Sequence, residues 1–310
     1  MNITKILIVG AGLIGKSLAQ VYSACESTHI TLFDKQDTNA LADVEKNMLQ
    51  LVPFGVLSPM QAHARLERIR FTTDWGGEPF TEADFVAECV FEDLALKQEL
   101  FADLEQVCRE DTIFATNTSV MSPTEIAEKL TRKERLVGTH FWNPAHLIPL
   151  VEVVKSAYTS DEVAGATLEL LTQAGKVAVL CKKDVPGFIG NRMQHALWRE
   201  ALYILENDIA DAETIDKAIR YSFGLRLPQL GPMENIDMVG ADLVYNVHEY
   251  LFKHLDNSTK PSPILEKLKT EGKLGFKTGG VGISQWTPEQ METSRRELNE
   301  YLINMVYKTE

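Results

Sequence analysis

His140 and Glu152 stand twelve residues apart on either side of a proline-punctuated loop, Trp142-Asn143-Pro144-Ala145-His146-Leu147-Ile148-Pro149. The pattern predicts a strand over residues 135–138, ending just before His140, and a second apolar strand over 150–154 that contains Glu152. If the loop folds back so that the strands lie side by side, carboxylate and imidazole meet. A carboxylate hydrogen-bonded to one ring nitrogen fixes the tautomer and orientation of the imidazole and favours the imidazolium. That arrangement makes a general base. The plain alternative is a solvated loop histidine beside an unrelated strand-end glutamate. His146, the other imidazole in this loop, reads as a surface or substrate-facing residue.

A second constellation lies at the start of the chain. Gly10-Ala11-Gly12-Leu13-Ile14-Gly15 follows a short apolar run, 5–9, opens a helical pattern over 14–25, and is answered by a second apolar run, 30–33, ending in Asp34. A lone GxGxxG is a weak signal, but strand, glycines, helix, strand and acid in this order are what a dinucleotide needs. Gly10 permits the tight turn, Gly12 lets backbone approach a pyrophosphate, and Gly15 lets helix pack on strand. The first helical N–H groups, around Leu13 and Ile14, would meet the phosphates. Asp34 would accept the two hydroxyls of the adenosine ribose, and its charge would repel a 2′-phosphate. The cofactor expected is NAD rather than NADP, with Lys35 softening that preference.

These groups need a scaffold. Further strands are predicted at 69–72, 85–88, 113–116 and 177–180, with helices at 94–108 and 161–174 and a helical excursion over 37–67. Glu92 and Lys97 follow a strand end, where parallel sheets bind ligands, and are candidates for the cofactor; a helix-start acid and a solvated lysine is the alternative. Asn117-Thr118-Ser119 follows another strand end. Because Ser122-Pro123 already supplies a helix cap, Ser119 is free for a different role. At Lys182-Lys183-Asp184-Val185-Pro186-Gly187 the alternation stops. Beyond it the pattern is helical at 187–206, 211–222, 232–254 and 287–308, with turns at 224–232, 261–263 and 272–282. The fold class expected is α/β, a Rossmann-type dinucleotide-binding domain (1–184) followed by an all-α domain (185–310) for substrate and dimerisation.

Composition narrows the partners. A formal charge of −13 argues against a nucleic-acid partner, which needs a basic face. No apolar run approaches the roughly 20 residues of a membrane span, and the run at Ile6-Leu7-Ile8-Val9 is too short for a signal-peptide core. The four cysteines, Cys25, Cys89, Cys108 and Cys181, lack CxxC or Cys/His spacing, which fits a reducing compartment, the cytoplasm, and argues against structural zinc.

Taken together, these motifs resemble the L-3-hydroxyacyl-CoA dehydrogenase family over nearly the whole chain. The resemblance rests on Gly10-x-Gly12-x-x-Gly15 with Asp34, Glu92 with Lys97, Asn117-Thr118-Ser119, His140-Phe141-Trp142-Asn143-Pro144 with Leu150-Val151-Glu152, and Pro186-Gly187-Phe188-Ile189-Gly190-Asn191-Arg192. Lys273-Leu274-Gly275-x-Lys277-Thr278-Gly279 is also family-like. The resemblance implies a catalytic His140–Glu152 pair, with Ser119 and Asn191 hydrogen-bonding the reacting oxygen or the neighbouring carbonyl. It places Glu92, Lys97 and Asn143 near the nicotinamide and its ribose, the active site in a cleft between domains, and a homodimer through the helical domain. The implied reaction is NAD-dependent oxidation of a β-hydroxyl to a ketone, with no metal.

Two departures bear on the substrate. Relatives acting on CoA thioesters carry a lysine-rich hairpin after the second strand. Here residues 35–70 hold Lys35, Lys46, Arg65, Arg68 and Arg70, offset by Asp37, Asp43, Glu45 and Glu67. The segment 223–232 is longer than in the thioester enzymes and is similar to branches acting on free hydroxy acids, such as L-gulonate dehydrogenase (lambda-crystallin) and carnitine dehydrogenase. Arg226 in that segment could hold a substrate carboxylate, or else cap a helix or pair with an acid such as Glu234. Trp142 stands where a smaller aromatic is usual. A non-catalytic, structural NAD-binding protein is a further alternative, disfavoured because Ser119, His140, Glu152 and Asn191 are all present.

Overall fold

The computed structural model describes residues 2–36 and 39–307, so Asp37 lies outside the described residues. In chain order the elements are β1 Lys5–Val9, α1 Leu13–Tyr22, β2 His29–Phe33, α2 Ala40–Leu49, α3 Pro59–Leu66, β3 Ile69–Thr72, α4 Glu78–Thr81, β4 Phe85–Glu88, α5 Leu94–Val107, β5 Ile113–Thr116, α6 Pro123–Ile126, β6 Leu136–Phe141, β7 Leu150–Val154, α7 Asp161–Gln173 and β8 Val177–Cys181. There follow α8 Gly190–Glu206, α9 Ala212–Arg220, α10 Phe223–Arg226, α11 Pro232–Val239, α12 Ala241–Leu251, α13 Pro263–Thr270 and α14 Pro288–Tyr307. The fold is α/β, a mostly parallel sheet followed by a helical region.

The strand order is β3-β2-β1-β4-β5-β6-β7-β8. Strands β1 to β6 are parallel, β7 runs against β6, and β8 is parallel to β7. The connection order reverses between β1 and β4, the switch point at which open α/β sheets form a ligand crevice. Both faces of the sheet are covered, so the strands read as continuous apolar runs. In β1 the side chains alternate between the layers. Ile6 and Ile8 pack with α1, α2 and α7, whereas Leu7 and Val9 pack with Phe80, Phe101 and Ile126 on the other face.

Most of the helices around the sheet begin with a side-chain cap. Ser58 and Gln61 form a reciprocal capping box on α3, and Asp93, Ser122 and Ser160 cap α5, α6 and α7. Helix α1 begins differently. Its N-cap is Gly12, with no side-chain hydrogen bond and no acid in the first turn. Its first N–H groups are thereby left for something else.

The chain divides into two compact units, residues up to Asn191 with the stretch from Leu298, and Arg192–Glu297. Ile303 on the last helix is buried in the core of the first unit, and Tyr307 donates a hydrogen bond to the His146 carbonyl. The second unit is helical and poorly filled. Among its residues only Gly280 and Met291 are buried, while Leu197, Trp198, Met238, Leu243, Tyr250 and Phe252 are exposed.

Three expectations about elements change. Strand β6 runs on through His140 and Phe141, because its pairing with β7 continues beyond the last residue it shares with β5. The helix expected over 232–254 breaks at Gly240, whose φ of 99° is outside helical geometry. The turn expected at 261–263 leads into a helix not foreseen, Pro263–Thr270, capped by Ser262 with a proline in its first turn.

Candidate active site

The pairing of β6 with β7 sets His140 directly opposite Glu152. His140 Nδ1 lies 2.7 Å from Glu152 Oε2, and both side chains are buried. The loop therefore does fold back, and His140 is a strand residue, not a solvated loop histidine. With Nδ1–H given to the carboxylate, the lone pair on Nε2 is left to accept a proton. No protein group among the described residues hydrogen-bonds Nε2.

Glu152 is held from its other side. Its Oε1 accepts the backbone N–H groups of Ile189 and Gly190 at 2.8 and 3.0 Å. Burial pushes the carboxyl up, but the hydrogen bonds from His140, Gly190 and Ile189 outweigh it and hold the group below the usual glutamate value. The rings of Trp142 and Phe188 flank the imidazole, with centroids 5.2 and 5.6 Å away.

Ser119 and Asn191 are also brought together. Asn191, in the first turn of α8, donates through Nδ2 to the Ser119 carbonyl at 2.9 Å. The Ser119 N–H donates to Glu92 Oε1 at 2.9 Å, and the Thr118 hydroxyl donates to the same oxygen. Burial raises Glu92, but Thr118, the Lys97 charge and the Ser119 N–H together lower it below its ordinary value.

Lys97 is not a solvated lysine. It is fully buried, with Nζ 2.7 and 2.8 Å from the two oxygens of Glu88, 3.2 Å from the Asn117 carbonyl and 3.3 Å from Glu92 Oε2. These contacts seat its ammonium between Glu88 at the end of β4 and Glu92. Glu88 was not singled out in the sequence, although it is buried and also takes the Thr116 hydroxyl and the Val90 N–H. Burial pushes its carboxyl up against the pull of Lys97. Asn117 was likewise read only as part of a polar run; its Oδ1 accepts the Phe141 N–H at 3.2 Å and ties β5 to the end of β6.

The glycine turn at the end of β1 behaves as its spacing implies. Gly10 has a φ of 104°, and a Cβ there would lie 2.6 Å from the Cys89 carbonyl oxygen. A Cβ on Gly15 would lie 1.9 Å from the Gly10 carbonyl oxygen, so helix α1 can sit this close to β1 only without one. A Cβ on Gly12 would meet nothing within 4 Å. This open face, the uncapped N–H groups near Leu13 and Ile14, and Asp34 at the end of β2 fit a dinucleotide. The Asp34 carboxylate is placed by the turn itself, accepting the Ala11 N–H at 2.9 Å.

His146 differs from expectation. The Gln50 amide nitrogen lies 2.8 Å from its Nε2, and Ser17 Oγ lies 3.3 Å from its Nδ1. Since the Ser17 hydroxyl donates to the Leu13 carbonyl, Nδ1 carries the proton and the ring is neutral. Burial, helped by the Lys176 charge, lowers its pKa to about 4. The imidazole is a structural link between the loop and α1. Asn143 is exposed in the same loop, whose Ala145 and Ile148 carbonyls accept from the buried Lys176 ammonium. Arg226, the last residue of α10, is exposed in the second unit.

A dinucleotide turn at the switch point and a buried His–Glu pair at the end of a neighbouring strand define an NAD-dependent oxidoreductase. Two family descriptions match in tandem, the 3-hydroxyacyl-CoA dehydrogenase NAD binding domain over residues 5–185 and the 3-hydroxyacyl-CoA dehydrogenase C-terminal domain over 187–285. The chain belongs to the 3-hydroxyacyl-CoA dehydrogenase family. It is 30% identical to the 5-formyl-3-hydroxy-2-methylpyridine 4-carboxylate 5-dehydrogenase of Mesorhizobium japonicum, over 95% of this chain and 94% of that one. It is 33% identical to a probable 3-hydroxybutyryl-CoA dehydrogenase of Bacillus subtilis, over 90% and 96%. A crystal structure of 5-formyl-3-hydroxy-2-methylpyridine 4-carboxylic acid 5-dehydrogenase, described as an NAD+-dependent dismutase, superposes with a TM-score of 0.90 at 29% identity, covering 100% of both chains.

Proposed function

We propose that the chain oxidises the β-hydroxyl of a 3-hydroxyacyl compound to the 3-keto product, with His140 as general base. The observation that carries this is the buried His140–Glu152 pair with Nε2 left to accept a proton. NAD, when bound, supplies the hydride acceptor. Gly10, Gly12, Gly15 and the N–H groups at Leu13 and Ile14 would hold its pyrophosphate, Asp34 its adenosine ribose, and Glu92 and Asn143 its nicotinamide end. His140 Nε2 takes the hydroxyl proton. Glu152 keeps the ring in the required tautomer and stabilises the imidazolium that results. Ser119 and Asn191 orient the substrate oxygens, and Lys97 orients Glu92.

A specific observation favours a free hydroxy acid over a CoA thioester. Of the few cations between residues 35 and 70, Arg68 is committed to the protein, donating to the carbonyls of Cys25, Thr28 and Ser23 at the end of α1. The others, Lys35, Lys46, Arg65 and Arg70, are offset in number by Asp37, Asp43, Glu45 and Glu67, so the segment offers the CoA phosphates no net positive charge. The pyridine 4-carboxylate in the name of the Mesorhizobium relative is itself a free acid. We assign Arg226 as the carboxylate clamp of such a substrate. An assay panel with NAD decides, setting L-3-hydroxybutyryl-CoA and longer thioesters against L-3-hydroxybutyrate, L-gulonate and carnitine. Turnover of none of them would remove the β-hydroxyl reading altogether.

Residues 1–184 serve as the NAD domain and 185–310 as the substrate and dimerisation domain, except that the stretch from Leu298 packs with the first unit. The bare apolar faces of α8, α11 and α12 support a homodimer through that region. Free cysteines support a reducing, cytoplasmic location. Among the described residues no helix is long and apolar enough to cross a membrane.

A further inference from the structure

His140 is held by more than Glu152. Trp142 lies two residues along the chain, its ring 5.2 Å from the imidazole and tilted 49° to it. Phe188 approaches at 5.6 Å and 56°. The indole in turn rests on the first residue of α8. A Cβ added at Gly190 would lie 2.5 Å from Trp142 Cζ2 and 3.3 Å from Cε2, so the ring occupies the space any other residue there would need. That same Gly190 donates its N–H to Glu152. Among the described residues the buried indole Nε1 has no hydrogen-bond partner, and the ring is held there by contact and shape.

We propose that Trp142 is a positioning residue for the catalytic pair, an indole wedge seated on Gly190 that fixes the plane of the His140 ring. The proposal rests on the reading of His140 as the base. Glu152 fixes one ring nitrogen but leaves the imidazole free to swing about that single hydrogen bond. Contacts from two aromatic rings remove this freedom and aim Nε2 in one direction. A misplacement on the ångström scale costs up to about a hundredfold in rate, which sets the size of the expected effect. The wedge and its seat must match. A larger residue at 190 pushes the indole into the imidazole, whereas a smaller ring at 142 gives that residue room.

The test is a four-protein cycle of wild type, W142F, G190A and W142F/G190A, with melting temperatures measured to confirm folding. Expected is a loss of about ten- to a hundred-fold in kcat for G190A. W142F should lose less, and the double variant should recover most of the G190A loss while KM for NAD stays unchanged. Strictly additive losses would overturn the wedge. A second readout does not need turnover. A side chain in ring contact perturbs indole emission, so the emission assigned to Trp142, by subtraction of W142F, should differ between wild type and H140Q at one fixed pH. Trp142 emission that is identical in H140Q would also overturn the proposal. Full activity of H140Q with the emission changed would instead remove the base and leave the ring contact standing.

Discussion

Lys97 and Glu88 form a two-pronged ion pair inside the protein, at 2.7 and 2.8 Å, with neither side chain reaching solvent. Such a pair is costly to bury, and removing one partner strands the other charge. Lys97→Met should therefore destabilise the protein by about 3–5 kcal/mol in urea denaturation. It should also weaken NADH binding, because Glu92 loses the ammonium 3.3 Å away. The double variant K97M/E88M should be more stable than K97M alone; if it is less stable, the stranded-charge account fails.

His140→Gln keeps a side chain of similar size but loses the base. General-base catalysis by histidine is worth about 10²–10⁴ in rate, and kcat should fall by that much. NADH binding, followed by fluorescence, should be retained, since the dinucleotide turn is built by other residues. Near-wild-type turnover would take His140 out of the mechanism.

Acid stability should be lost in two stages. His146 has a folded pKa of about 4 against an ordinary value of 6.5. Between these values the unfolded chain binds the extra proton, so stability falls as pH drops from about 6.5 to 4. Glu152 follows. Its folded pKa lies below the usual 4.5, so its contribution is full above that value and disappears as pH falls through the lower, folded one. In denaturation at pH 7 and pH 4.5, H146Q should show a smaller difference than wild type. An equal difference would mean the buried imidazole is not the group responsible.

Arg226→Ala addresses the substrate. A guanidinium binds a carboxylate through two parallel hydrogen bonds, a geometry lysine cannot reproduce. Charged hydrogen bonds contribute about 1.5–3 kcal/mol, so kcat/KM for a carboxylate substrate should fall roughly ten- to a hundred-fold, carried by KM. Thioester turnover that is brisk and unchanged in R226A would end the clamp.

Assembly can be checked directly. The second unit buries only Gly280 and Met291 among its residues. A helical unit with so little interior needs its apolar faces covered. Light scattering at micromolar concentration should give twice the monomer mass, and the melting temperature should rise with protein concentration. A monomeric mass would refute the dimer.

What could be read from residues alone follows physical lines. The central strands β1, β4 and β5 are largely apolar and buried, unlike β3 and β8 at the edges, and the glycine turn is a local steric requirement; both are visible without tertiary contacts. His140 looked like a loop residue because an imidazole interrupts the apolar pattern, and only the pairing with β7 makes Thr139-His140-Phe141 a strand. The Lys97–Glu88 pair was hidden for a similar reason. Lysine and glutamate nine residues apart look like two surface charges until α5 folds back over β4. His146 has no local signature at all, since its partners Ser17 and Gln50 come from the far end of the chain.

One carboxylate joins two structures that are usually thought of separately. Glu152 grips the imidazole with one oxygen and the Ile189–Gly190 backbone, where α8 begins, with the other. It acts as a rivet through two plates. Loosening it changes the proton chemistry of His140 and unfastens the root of α8 at once. Kinetics of Glu152→Gln therefore mix an electronic defect with a mechanical one. The amide can still accept from His140 through its oxygen, but its NH₂ group then faces the two backbone donors, so the mechanical part survives even where the histidine tautomer is preserved.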